Sequence, residues 1–164
     1  MQSEHDGKRY SIDSSALIHG WGRIYPPDVF PGVWEKLGLL ANSEVLIASE
    51  EVLFELKRKE DNLHKWAQKQ TKMFVPHDAE VQNAVRAILN DHGRLLNLRK
   101  NRSGADPFVI AVAMKNKCVV VTQENRSPNP KETPHIPDVC DAHQIRCISL
   151  IELLREQGFT FKGG

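Results

Sequence analysis

The chain has 164 residues, enough for one domain and too few for two of ordinary size. Its 40% hydrophobic and 26% charged residues match a soluble globular protein, with apolar material for one real core. A formal net charge of +1 excludes a polycation, so a nucleic-acid partner must be met by a local basic patch.

Tyr10-Ser11-Ile12 predicts a short strand running into Asp13, followed by a helix start at Ser14, Ser15, Ala16, Leu17 and Ile18. Residues 25–31, with three prolines, predict a loop and turn. The spacing of Val33, Trp34, Leu37 and Leu40 predicts a helix from Pro31. Val45 to Ala48 is uniformly apolar, the pattern of a central strand covered on both faces. Ser49 then caps a helix with Glu50 and Glu51 in its first turn and Val52, Leu53 and Leu56 as its stripe. Asp61 to Met73 reads as a polar helix and Phe74-Val75 as a short strand. Asp78 opens a helix in which Val81, Val85, Ile88 and Leu89 share one face.

Asn97 to Ser103 reads as a basic loop, and Ala105 to Lys115 as a helix with Pro107 near its start. Cys118 to Val121 is the strongest strand signal and ends at Thr122. A Pro-rich loop (127–137), a helix from Asp138 to His143, a strand from Arg146 to Ser149 and a helix from Leu150 to Gln157 complete the chain. Gly158 stops the last helix. Short apolar strands alternating with helices predict an α/β fold with a mainly parallel sheet. The expected organisation is a polar leader over residues 1–7, one domain over 8–157 and a tail over 158–164. MQSEHDGKRY carries no apolar signal region, and no apolar run approaches the roughly 18 residues a membrane span needs. Three cysteines (Cys118, Cys140, Cys147) are too few for a disulfide scaffold and suit a reduced interior, so the expectation is a cytoplasmic protein.

In parallel α/β proteins functional groups collect at the carboxyl ends of strands. Asp13 ends the first strand, Glu124 lies just beyond the strand at Cys118–Val121, Asp106 opens the helix leading into that strand, and Glu55 lies on the helix that Ser49 begins. Several carboxylates together suit a hard divalent cation, which acidifies a bound water and offsets charge on a phosphodiester. Without the cation they would repel one another and the phosphate. Each acid also has a structural reading: Asp13 and Asp106 as helix caps, Glu55 as the i,i+4 partner of Lys59, and Glu124 as a solvated loop residue. Spacing alone leaves both readings open.

The local sequences go further. Tyr10-Ser11-Ile12-Asp13-Ser14-Ser15-Ala16-Leu17-Ile18 resembles the opening strand and helix of PIN domains. Ser49-Glu50-Glu51-Val52-Leu53-Phe54-Glu55-Leu56 resembles their second motif, Ala105-Asp106-Pro107-Phe108-Val109-Ile110-Ala111-Val112-Ala113 their Asp-led helix, and Val119-Val120-Val121-Thr122-Gln123-Glu124-Asn125 the following strand with its Thr-x-acid ending. The four motifs stand in the family's order, and the likeness runs from Lys8 to Leu154. It implies a PIN-like three-layer α/β/α fold, Mg²⁺ or Mn²⁺ held by Asp13, Glu55, Asp106 and Glu124, and endonucleolytic hydrolysis of RNA leaving 5′-phosphate and 3′-hydroxyl ends. Ser15 and Thr122 would orient waters or ligands from behind. Many small bacterial members, the VapC-like toxins, pair with an antitoxin, and family members often form homodimers.

Two positions depart from the pattern: the fourth acid is usually Asp and is Glu124 here, and the position held by Ser15 is often Asn. Residues 136–140 form a longer segment than in minimal toxins and resemble an uncharacterised PIN-like subgroup. These departures keep open an alternative, a catalytically weak or inactive module that binds RNA or protein. Lys100, Arg102 and Arg126 are candidates to hold the RNA backbone, against the reading of a solvated basic loop. Trp21 and Trp34 read as packing residues rather than base-stacking platforms. His135, Cys140, His143 and Cys147 have a spacing that resembles no standard zinc motif, so the thiols read as free and buried.

Overall fold

Tyr10–Ile12 forms strand β1, buried at all of its positions, and it stands in the middle of a five-stranded sheet. The computed structural model describes residues 7–92 and 106–162. Strands β2 (Leu46–Ser49) and β4 (Val119–Val121) pair with β1, while β3 (Phe74–Val75) and β5 (Cys147–Ile148) lie outside them, giving the order β3-β2-β1-β4-β5. All four pairings are parallel, with Tyr10 in register with both Leu46 and Val119.

Parallel neighbours need crossovers, and helices supply them. Helices α1 (Ser14–His19) and α2 (Pro31–Asn42) connect β1 to β2, and α3 (Glu50–Lys59) and α4 (Asp61–Gln68) connect β2 to β3. Helices α5 (Ala79–Asp91) and α6 (Asp106–Asn116) lie between β3 and β4, α7 (Ile136–Ala142) lies between β4 and β5, and α8 (Leu150–Glu156) follows β5. The apolar strands are covered on both faces, which is why β1 and β2 are buried throughout instead of alternating. Helix α6 is the extreme helical case: Val109 to Ala113 are all buried, as expected of a helix that is apolar all round.

Most elements lie where the residue patterns predict, and three differences have physical reasons. The helix expected over Asp61 to Met73 stops at Gln68, where Gln70 N–H bonds back to the Ala67 carbonyl (2.9 Å). Met73 is fully buried, and its carbonyl accepts from Ala48 N–H (2.9 Å), so it already belongs to the sheet. Helix α7 starts at Ile136 rather than Asp138, because Pro137 fits the first turn and Asp138 Oδ2 accepts from the His135 N–H (2.8 Å). Beyond α1 the chain continues as a π turn over Gly20–Ile24, which no periodicity announced. A Cβ on Gly20 would come within 2.8 Å of Leu150 Cδ2, so this position lets α8 approach. Trp21 and Trp66 pack edge-on against Trp34, at 4.7 and 5.1 Å between ring centroids, consistent with a packing role.

The order of the strands fixes where a site can form. From β1 the chain winds to β2 and β3 on one side and then crosses to β4 on the other. The reversal leaves a crevice outside the carboxyl ends of β1 and β4.

Candidate metal centre

Asp13 sits in that crevice. Its N–H bonds the Val121 carbonyl (2.8 Å), which locks it between the ends of β1 and β4. It occupies the N-cap position of α1, yet its side chain makes no capping bond. The carboxylate instead accepts from two hydroxyls at Oδ2, Ser15 Oγ at 2.5 Å and Thr122 Oγ1 at 3.0 Å. Those hydroxyls in turn accept from the backbone of the next loop, Ser15 from Gln123 N–H and Thr122 from Glu124 N–H, both at 3.1 Å. With both protons committed to Asp13, the 3.2 Å approach of Ser15 Oγ to Thr122 Oγ1 is a contact between two oriented groups.

Ser14 links this network to α3. Its hydroxyl has one proton and two carboxylate neighbours, Glu55 Oε2 at 2.6 Å and Asp13 Oδ1 at 3.4 Å, so the shorter bond to Glu55 takes it. The other Glu55 oxygen accepts from Lys59 Nζ at 3.1 Å. The i,i+4 pair therefore exists, but it is no ordinary surface pair: Glu55 is 4% exposed, and its carboxylate faces inward. Ser49, capping α3 through a bond from Glu51 N–H (3.1 Å), sets the helix phase that turns Glu55 toward Ser14.

Glu124 approaches from the β4 side. Its Oε2 accepts the Ile136 N–H (2.9 Å), so the side chain also secures the first turn of α7. Asp13, Glu55 and Glu124 all line one open cleft of about 700 Å³, joined at its rim by the cations of Arg23 and Lys59 and by His19. Burial pushes the Asp13 carboxyl up from 3.8 to about 6. The Ser15 bond opposes this, the Glu124 charge adds to it, the Thr122 bond opposes, and the Glu55 charge adds again. A buried carboxylate flanked by two others is a place where an added cation is favoured.

The remaining sequence candidates fall differently. Asp106 opens α6 as expected, but its side chain lies outside the described residues, as do Lys100 and Arg102. Arg126 is paired with Asp141 through two bonds of 2.8 and 3.0 Å, and it lines a smaller neighbouring cleft of about 180 Å³ rather than the large one. Ser14, His19, Arg23 and Glu60 also line the cleft without being candidates on sequence alone. Ser14 had a usable signal, a second hydroxyl beside Ser15, whereas Arg23 depends on the unannounced π turn. The three cysteines are free, with Cys118 and Cys140 buried; burial pushes the Cys118 thiol up to about 11. Cys140 is pushed up first by its contact with Cys147 and then by burial, so neither buried thiol is a ready metal ligand.

The fold is similar to that of a chain in the structure of VapBC2 from Rickettsia felis bound to a DNA fragment from their promoter. The likeness has a TM-score of 0.50 at 14% identity and covers 85% of this chain and 97% of that one. The domain is PIN-like, with the α/β/α layering and all-parallel sheet of that fold. No curated protein matches the chain. Over residues 10–161 the sequence matches the family described as Domain of unknown function (DUF4411), and the chain belongs to that family.

Proposed function

We propose that this protein is a metal-dependent endoribonuclease, hydrolysing RNA phosphodiester bonds as the toxin of a toxin–antitoxin pair. The observation that carries the reading is the buried Asp13 carboxylate, oriented by two hydroxyls and facing a cleft shared with Glu55 and Glu124. Similarity to a chain of VapBC2, whose VapC component is a PIN-domain toxin, supports it at the level of the fold.

The donors fit a hard divalent cation, because they are all carboxylate oxygens and one of them is buried under the charge of two more. Asp13, Glu55, Asp106 and Glu124 would hold Mg²⁺ or Mn²⁺. When bound, the ion supplies an acidified water and a counter-charge for the phosphate. Ser15 and Thr122 keep the Asp13 oxygens pointed into the cleft, and Ser14 keeps Glu55 aligned with them. Arg23 and Lys59 at the rim offset the repulsion between carboxylates and RNA backbone. Phe54, exposed on the same helix as Glu55, offers an antitoxin an apolar anchor. A cytoplasmic location fits this role, and no described helix is long and apolar enough to cross a membrane.

A second reading, a module that binds RNA or protein without cleaving, is favoured by two engagements: Glu124 bonds Ile136 N–H and Glu55 is paired with Lys59. Incubating labelled RNA with the purified chain and Mn²⁺ or Mg²⁺ separates the two. Cleavage by the wild type and its loss in Asp13→Asn and Asp106→Asn support the nuclease. Equal cleavage by all three proteins would remove the carboxylates from the mechanism, and RNA retention without cleavage would favour the module. Expression in bacteria adds the toxin question: the wild type should arrest growth, and Asp106→Asn should relieve the arrest.

A further inference from the structure

A second group of ligand-bearing side chains lies outside the carboxylate cleft. Asp91 is the last residue of α5, and His92 caps that helix, its N–H bonding the Ile88 carbonyl at 2.7 Å. His143 caps α7, its N–H bonding the Val139 carbonyl at 3.2 Å and the Cys140 carbonyl at 3.1 Å. The two helix ends bring the rings edge to face, with centroids 5.3 Å apart and planes at 68°. One ligand atom from each of Asp91, His92 and His143 lies within 4.8 Å of the other two. We propose that Asp91, His92 and His143 form a transition-metal site of the Zn²⁺ class that clips the end of α5 to the end of α7.

Three observations support this beyond proximity. The Nε2 of His143 is buried and has no hydrogen-bond partner among the described residues, although buried ring nitrogens are ordinarily paired. The donor set has two imidazoles and one carboxylate, which suits Zn²⁺ and its first-row neighbours and differs from the all-oxygen set of the cleft. The C-terminal end of α5 carries the negative end of the helix dipole and so favours a cation.

The geometry needs a modest closure. Zinc–ligand bonds of about 2.0–2.1 Å put tetrahedral ligand atoms roughly 3.3–3.5 Å apart, so side-chain rotation of about 1 Å has to gather the group. Asp91 is exposed and free to make that movement at little packing cost. Along the chain the neighbours of His143 are Cys140 and Cys147. The partner that the fold supplies, His92, comes from a distant helix end. A metal here would act on the architecture, tying α5 to the helix whose first turn Glu124 secures.

The test uses the full chain, with Zn²⁺ for thermal unfolding and Co²⁺ as the spectroscopic probe. Wild type and Asp13→Asn should both gain several degrees of thermal stability with Zn²⁺ and show tetrahedral Co²⁺ absorption, and excess Mg²⁺ should displace neither. His92→Gln and His143→Gln should lose the shift and the absorption. Circular dichroism checks that the variants fold, and if His143→Gln does not, the half-buried His92→Gln decides. An equal shift in His92→Gln would overturn the site, as would loss of the shift in Asp13→Asn instead. Thiolate-to-cobalt charge transfer would put the ion on cysteine and overturn it as well.

Discussion

The two sides of the cleft are built by different means. On the β1 side, Asp13, Ser14 and Ser15 are consecutive, and they reach Thr122 and Glu55 through hydroxyl bonds between buried groups. On the β4 side, Glu124 is half-buried on a loop and spends one oxygen on the first turn of α7. The first arrangement costs stability, since it buries a carboxylate beside two others, and it is kept oriented whether or not a cation is present. The second stabilises a helix start and is held in place by it. A residue that destabilises the fold while being held in position is the stronger functional candidate.

The largest test of that contrast is Asp13→Asn. Supporting groups around a metal typically cost about 10–100-fold in affinity or activity when removed, and a direct ligand should exceed that range. RNA cleavage should therefore fall more than about 100-fold. The same substitution should stabilise the metal-free protein. The Asp13 carboxyl is raised from 3.8 to about 6, so between those values the folded protein still holds a proton that the unfolded chain has released. Its contribution is most favourable below about pH 4 and is lost as pH rises through 6. At pH 7 the ionised, buried carboxylate then costs about 2–3 kcal/mol, a penalty the neutral Asn avoids. Denaturant melts should show Asp13→Asn as the more stable protein at pH 7, the two converging toward pH 4. Mn²⁺ should stabilise only the wild type. A wild type that gains stability from pH 4 to 7 relative to the variant would contradict the burial account.

Ser14→Ala is the next smaller effect. It removes the proton shared between α1 and α3, leaving Glu55 buried with Lys59 as its remaining partner. Mn²⁺ affinity should drop by roughly 10–100-fold, the range for groups that orient a ligand. Ser14→Thr, which keeps the hydroxyl, should recover most of it. If Ala and Thr behave alike, the bridge is incidental and the β1 side is less organised than its distances suggest.

How much of this was legible in the residues depends on how local each cause is. Strand β1, the Ser49 cap and the Asp78 cap rest on neighbours within a few positions, so the sequence pattern predicts them and the structure has them. The role of Asp13 was half legible: its place at a strand end is local, but its hydroxyl partner Thr122 comes from the other side of the chain. Arg23 reaches the cleft only because α1 continues as a π turn, a five-residue deviation with no periodic signature. Arg126 follows Glu124 in sequence and was expected at the same mouth. Asp141, one residue before the end of α7, instead draws it to the neighbouring cleft. Long-range pairing of this kind leaves no mark on either local sequence.

The smallest and most discriminating change is at Glu124. Gln keeps an oxygen for Ile136 N–H but removes the charge, so the start of α7 should be retained. Asp keeps the charge but is one methylene shorter and loses its reach to Ile136, which should cost about 1 kcal/mol, the usual worth of a cap. The two variants thus separate the side chain's two jobs. If Glu124 serves the cation, cleavage should fall about tenfold in Gln, at the lower end of the range for supporting groups, and survive in Asp. If it serves only α7, activity should be unchanged in Gln, and the loss should follow stability in Asp. The first pattern makes the β4 side part of the chemistry despite its structural duty. The second confines the metal to the β1 side, with Asp13 and Glu55 as its ligands among the described residues, and makes the departure from the Asp usual in PIN domains a matter of fold rather than of catalysis.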